Sequence, residues 1–230
     1  VGDFEPEAVE KAIKSGLAGW KKAPAYARVG NPYRDIPAKQ FDIDTPDKAN
    51  AFYVSRMPLK LQDTDADYAS LYLANYLFGA SETSRLWNRV RETEGLSYNV
   101  RSSLSVSSFE PSASWTMYAI YAPQNRERLE KAINEELARV LKDGFSEKEI
   151  SDGINALLNY RNLARAQDDV LAGTWLDYLQ RGRTFEWSAE MDKKISALTP
   201  DAVNAALRKY LRPDGFSTAV AGDFKKKAAP

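Results

Sequence analysis

Trp87-Asn88-Arg89-Val90-Arg91-Glu92-Thr93-Glu94-Gly95-Leu96-Ser97-Tyr98-Asn99-Val100-Arg101 changes hydrophobic period in its middle, and that change decides how the chain is organised. From Ser84 to Glu94 the spacing predicts a short helix, with Leu86 and Val90 four apart on one face. Gly95 stands where a left-handed residue often stops a helix. From Leu96 the period becomes two: Leu96, Tyr98, Val100, Leu104 and Val106 alternate with Ser97, Asn99, Arg101, Ser103 and Ser105. A strand with one buried and one wet face has this pattern. It places Tyr98 on the apolar face, just past the turn that Arg91 precedes.

Working outward, Phe109-Glu110-Pro111-Ser112 makes a turn, and Trp115, Met117, Ala119 and Tyr121 alternate through a second strand, Ser114 to Tyr121. The two strands are expected to pair as an antiparallel hairpin. Upstream, strands are expected near Phe41 to Ile43 and Ala49 to Arg56, the second ended by Met57-Pro58-Leu59. A helix should follow over Asp65 to Phe78, with Tyr68, Leu71, Tyr72, Ala74, Leu77 and Phe78 on a wide apolar face; Tyr76 joins an aromatic group that reads as core. Downstream, Leu129, Ile133, Leu137, Val140 and Leu141 predict a helix over Asn125 to Lys142, closed by Asp143-Gly144. Ser146 and Glu149 fit a capping box opening a helix that could run to about Leu179, with Gly173 as its weak point. Thr199-Pro200 opens a last helix, and Ser217 to Ala221 forms a final strand.

Both ends of the chain carry a related tetrapeptide. Val1-Gly2-Asp3-Phe4 recurs as Ala221-Gly222-Asp223-Phe224, as expected if a duplicated protein were cut at equivalent seams. Residues 1–39 accordingly read as a helix and linker belonging to the preceding repeat, with Val9, Ile13, Leu17 and Trp20 amphipathic and Pro24, Pro32 and Pro37 following. Residues 40–230 read as the domain proper. The chain starts without Met and without a signal-peptide pattern, which reads as a piece of a longer protein. Lys225-Lys226-Lys227 reads as a flexible end.

Composition removes several functions. Thirty-two basic and thirty-two acidic residues cancel, so no long-range field favours nucleic acid or an anionic membrane. No apolar run reaches the roughly 18 to 20 residues needed to span a bilayer. The chain is expected to be soluble, with bacterial periplasm and cytoplasm both open as locations. With neither His nor Cys, the common zinc sites, a Cys nucleophile and a Ser-His-Asp triad are excluded.

Leu77-Phe78-Gly79, Arg85-Leu86 and Arg91-Glu92-Thr93-Glu94-Gly95-Leu96-Ser97-Tyr98 resemble the second half of an M16 family zinc metallopeptidase, the group containing pitrilysin, insulysin and the mitochondrial processing peptidase. The resemblance covers nearly the whole chain. It implies an α+β domain of the M16 peptidase / LuxS-like metallohydrolase kind, with a mostly antiparallel sheet of about five or six strands and helices packed on it. It further implies two such domains closing around an extended peptide. The family's zinc half carries a helical HxxEH motif, absent here, so the resemblance implies the partner half. Alone, this half would be inactive and hold no metal, with zinc in the partner domain or subunit. Whether that partner shares the polypeptide or forms a homo- or hetero-dimer stays open.

The same resemblance gives Arg91 and Tyr98, seven positions apart, catalytic and substrate-binding roles. A phenol can donate to the oxyanion formed when a peptide bond is hydrolysed, and a guanidinium can hold substrate carbonyls or a terminal carboxylate. Core packing for Tyr98 and a solvated helix position for Arg91 are the competing readings, and Arg85, Arg89 and Arg101 compete for the arginine's role. The alternative for the whole chain is a catalytically silent structural subunit of the same fold.

Overall fold

A computed structural model describes residues 2–21 and 23–224. Five strands make one mixed sheet in the order β1 (Gln40–Asp44), β5 (Ser217–Gly222), β2 (Ala51–Leu59), β4 (Ala113–Tyr121), β3 (Asn99–Val106). β1 and β5 run parallel, and the other neighbours are antiparallel. The α+β expectation holds, and β3–β4 is the expected hairpin.

Alternation sets the two faces of the sheet. Tyr53, Met57 and Leu59 of β2 and Trp115, Met117, Ala119 and Tyr121 of β4 are buried beneath the helices. Their neighbours Phe52 and Ile120 point the other way, with Phe41 and Ile43 of β1, and are exposed. The helical layer holds α2 (Tyr68–Asn75), α4 (Arg126–Asp143), α5 (Glu147–Arg165), α7 (Phe185–Ser196) and α8 (Pro200–Tyr210). In α4 the predicted stripe Leu129, Ile133, Leu137 and Val140 is buried, each side chain contributing about 1.5–3 kcal/mol. Ser146 and Glu149 form the expected reciprocal cap of α5, and Thr199 accepts from the Ala202 N–H to cap α8. Phe78 is fully buried, whereas Tyr68, Tyr72 and Tyr76 pack against the core from its margin.

Several boundaries differ from expectation. β2 continues through Pro58 to Leu59, because its pairing with β5 stops at Arg56 and leaves an open edge that tolerates a residue without an N–H. The long helix breaks at Ala166-Gln167, not Gly173. There the Ala166 and Gln167 N–H groups bond back to Leu163 and Ala164 in tight turns, and Asp168 and Asp169 start α6 (Asp168–Gln180) with favourable charge at its N-terminus. α7 was not foreseen; Thr184 caps it after Gly182, whose φ is 66°. Arg183 and Asp63 tie that turn to the start of the helical layer through two bonds of 2.6 and 2.7 Å. α1 (Pro6–Leu17) is helical with Pro6 in its first turn, yet none of its residues is buried. The lysine run at 225–227 lies outside the described residues.

Candidate functional site

The predicted helix before Gly95 forms in two pieces, α3 (Arg85–Trp87) and a π-helical stretch, Asn88–Thr93. The Glu94 N–H reaches back to Arg89 and the Leu96 N–H to Val90, wider closures than an α-helix makes. Gly95 has φ 61°, so the chain reverses where the sequence placed a left-handed residue. A second π-helical stretch, Tyr76–Ala80, presses Gly79 against β3; a Cβ there would lie 2.8 Å from the Ser102 nitrogen, so only glycine fits.

After the turn, Leu96 and Ser97 are both buried. The Ser97 hydroxyl donates to the Ile120 carbonyl at 2.7 Å and accepts the Asn99 N–H at 3.1 Å, stitching the turn to β4. With Ser97 turned inward and β3 starting only at Asn99, Tyr98 is thrown outward and is 85% exposed. The placement of Tyr98 on the apolar face is thereby corrected: the strand's alternation does not extend back past its hydrogen-bonded start.

Arg91 lies beside Tyr98. Its guanidinium carbon is 5.6 Å from the centre of the Tyr98 ring and 4.3 Å from that of Trp87. Trp87 is itself fixed, being buried and donating from its indole N–H to Glu92 at 3.2 Å. The nearest carboxylate to Arg91 is Glu92 at 3.6 Å, beyond hydrogen-bond range. Two competing arginines are committed elsewhere. Arg85 clamps Glu149 at 2.7 and 2.9 Å and the Gly144 carbonyl at 2.8 Å. Its hydrogen bond is the main reason the Glu149 carboxyl is held down at about 2. Arg89 pairs with Glu94 and Glu135. Arg101, the third competitor, reaches the same Trp87 ring from β3, with its guanidinium 3.8 Å from the ring centre.

The chemistry gathered here is two guanidiniums, one exposed phenol and a neighbouring strand at the sheet's edge. It can bind and orient a polar chain and donate hydrogen bonds to carbonyl or carboxylate oxygens. The sequence has no His or Cys, and among the described residues no three acidic side chains converge. Nor, among them, is any helix long and apolar enough to cross a membrane.

Residues 1–157 match the family profile described as the peptidase M16 inactive domain. A Helicobacter pylori protein described as a non-peptidase homolog, YmxG, is 22% identical over 227 residues, covering 98% of this chain and 51% of that protein. A Bacillus subtilis protein described as an uncharacterized zinc protease, also YmxG, is 37% identical over 82 residues, 36% of this chain and 20% of that one. The fold matches a crystal structure of a peptidase M16 inactive domain from Pseudomonas fluorescens with TM-score 0.78 and 24% identity, covering 96% of this chain and 52% of that one. The chain thus spans about half the length of the Helicobacter and Pseudomonas proteins.

Proposed function

We propose that this chain, which belongs to the peptidase M16 family and corresponds to its inactive domain, closes over an extended peptide held against a zinc-bearing half and supplies Arg91 and Tyr98 to it. The observation that carries this reading is their convergence: a guanidinium without a hydrogen-bonded carboxylate stands 5.6 Å from an 85%-exposed phenol. A tyrosine kept for packing would be buried, and an arginine kept for stability would be paired like Arg85.

In this reading hydrolysis takes place on the partner half, where zinc supplies the activated water. Negative charge then develops on the scissile carbonyl oxygen, and the Tyr98 O–H donates to it. Arg91 offers its planar fork to carbonyls of the peptide, or to its carboxylate, and so fixes the register of the chain being cut. Trp87 keeps that fork in place. The peptide is the partner in common, and the zinc-bearing half is supplied by the same polypeptide or by a separate subunit.

The test is reconstitution. The 230-residue chain alone should give a flat calorimetric trace with zinc and no turnover of a fluorogenic peptide, and turnover should appear only when an HxxEH-bearing half is joined or mixed with it. A tight one-to-one zinc site on the isolated chain would sink the reading. A second reading, a structural subunit that cleaves nothing, has support in the Helicobacter relative's description as a non-peptidase homolog. It is favoured if the joined protein binds peptide and never cuts it.

A further inference from the structure

Among the described residues every arginine makes an ion pair or a hydrogen bond except three, Arg34, Arg56 and Arg212. All three are exposed, so water satisfies their donors. Solvation does not explain why they gather. Arg34 and Arg56 line one cavity of about 470 Å³, a size within the roughly 300–1,000 Å³ of small-molecule pockets, and none of its described lining residues is acidic. Arg212 acts on the wall of the same cavity: burial and the Asp35 carboxylate push the Tyr33 phenol up, and Arg212 pulls it back down.

The fold builds this cavity. β2 outlasts its pairing with β5, so Pro58 lies past the point where Arg56 meets Ser217, the first residue of β5. Residues 31–36 wall the gap that remains, and the segment is pinned on both sides. The Asn31 N–H donates to Glu110 at 3.0 Å, and the Lys39 N–H donates to the Ser217 hydroxyl at 3.2 Å. Glu110 is itself neutralised by Arg28. Ser112 and Ser114 bring further hydroxyls to the lining, and Ile36 and Pro58 give it apolar surface. The turn that carries Tyr98 is stitched to β4 at Ile120, about 20 Å along the strand from Ser114, so the two sites are separate.

We propose that Arg34 and Arg56, with the hydroxyls of Ser112, Ser114 and Ser217, bind a small organic dianion, a dicarboxylate or a phosphate monoester, whose charge the cavity itself does not supply. Each guanidinium offers a planar fork to a carboxylate or phosphoryl group, and the hydroxyls donate to the oxygens left over. The apolar wall takes the carbon part of the ligand. Arg212 adds attraction from further out. The inference does not rest on the peptide reading above.

The experiment is calorimetry on the 230-residue chain at low salt with four probes: glutarate, phenyl phosphate, the monoanion butyrate and the neutral diamide glutaramide. One of the two dianions should bind one-to-one with Kd below about 1 mM, and which one does so identifies the class. Butyrate and glutaramide should bind at least about tenfold more weakly. Arg34→Gln and Arg56→Gln should each weaken the dianion by about tenfold or more, and Arg56→Lys should keep part of the affinity, retaining charge without the fork. Arg128→Gln, which removes the same charge from α4, should change affinity by less than about twofold. Because Arg34 and Arg56 have no partner to lose, their Gln variants should melt at the wild-type temperature or slightly above it, while the bound dianion should raise the melting temperature of the wild type alone. Absence of one-to-one dianion binding overturns the site, as does affinity that survives either Gln substitution or falls equally in Arg128→Gln. A melting temperature lowered by several degrees in Arg34→Gln or Arg56→Gln also overturns it, since these arginines would then hold the fold and not a ligand.

Discussion

Replacing Tyr98 with Phe removes one O–H and nothing else, and the structure fixes what that should cost. The side chain is 85% exposed, and its recorded contact is the ring's approach to Arg91, which Phe retains. Folding stability should therefore change by less than about 0.5 kcal/mol, the range for surface substitutions away from special features. If the phenol donates to the developing oxyanion, its loss should lower kcat roughly 10²-fold, about 2.7 kcal/mol of transition-state stabilisation, with 10³ as the upper range. KM should move far less, since the bond matters chiefly in the transition state. The assay is steady-state turnover of one fluorogenic peptide by the chain joined to its zinc-bearing half, beside thermal melts of both variants. The two scales separate cleanly. A normal kcat in an active enzyme refutes the oxyanion role, and a melting temperature lowered by many degrees would mean that Tyr98 packs where the structure shows it exposed.

In the same joined protein Arg91→Ala should raise KM at least as much as it lowers kcat, because it removes a contact made before the transition state as well as in it; peptide inhibition constants measured alongside check this. Asp63→Asn should be the most damaging of these changes to the fold, about 3–5 kcal/mol by chemical denaturation, because it leaves Arg183 facing a neutral partner in a nearly buried pair. The folded Glu149 carboxyl, held at about 2 chiefly by Arg85, lies below its ordinary 4.5. Its stabilisation is therefore complete above about pH 4.5 and is lost as pH falls toward 2. Partial exposure reduces this to about 1 kcal/mol, and acid melts of Glu149→Gln should lack that part of the slope. Finally, limited proteolysis should cut first between α1 and β1, where Trp20, Tyr26 and Val29 are each about four-fifths exposed or more. Hydrogen exchange as slow in α1 as in α4 would contradict a helix that belongs to a seam with a preceding repeat.

Most of the sheet and of the helical layer was legible because burial there obeys a simple period. Trp115, Met117, Ala119 and Tyr121 alternate in sequence and are buried in fact, and the α4 stripe does the same at helical spacing. What escaped were features decided by tertiary partners. Pro58 sits inside β2 since β5 has already stopped pairing, which depends on a strand about 160 residues later in the chain. α7 is locally weak, and its place is set by the Arg183–Asp63 pair across the fold. No window of a dozen residues contains either fact.

The site shows the same limit more sharply. The spacing of Arg91 and Tyr98 was readable, but the side to which Tyr98 points was not, since its phase with Val100 argued for burial. The decisive atom is the Ser97 hydroxyl, whose bonds to Ile120 and Asn99 turn the residue before Tyr98 inward. A serine on the polar side of an alternation gives no hint that it will be buried. Arg101 was hard to weigh for a related reason: twenty-six residues contain Tyr76 to Arg101, yet its approach to Trp87 depends on how β3 packs against the helical layer, where Gly79 lies against Ser102. Sequence spacing identifies which side chains can share a site along one element. Where two elements meet, the closest backbone approach decides it, and here that approach is the one Gly79 permits.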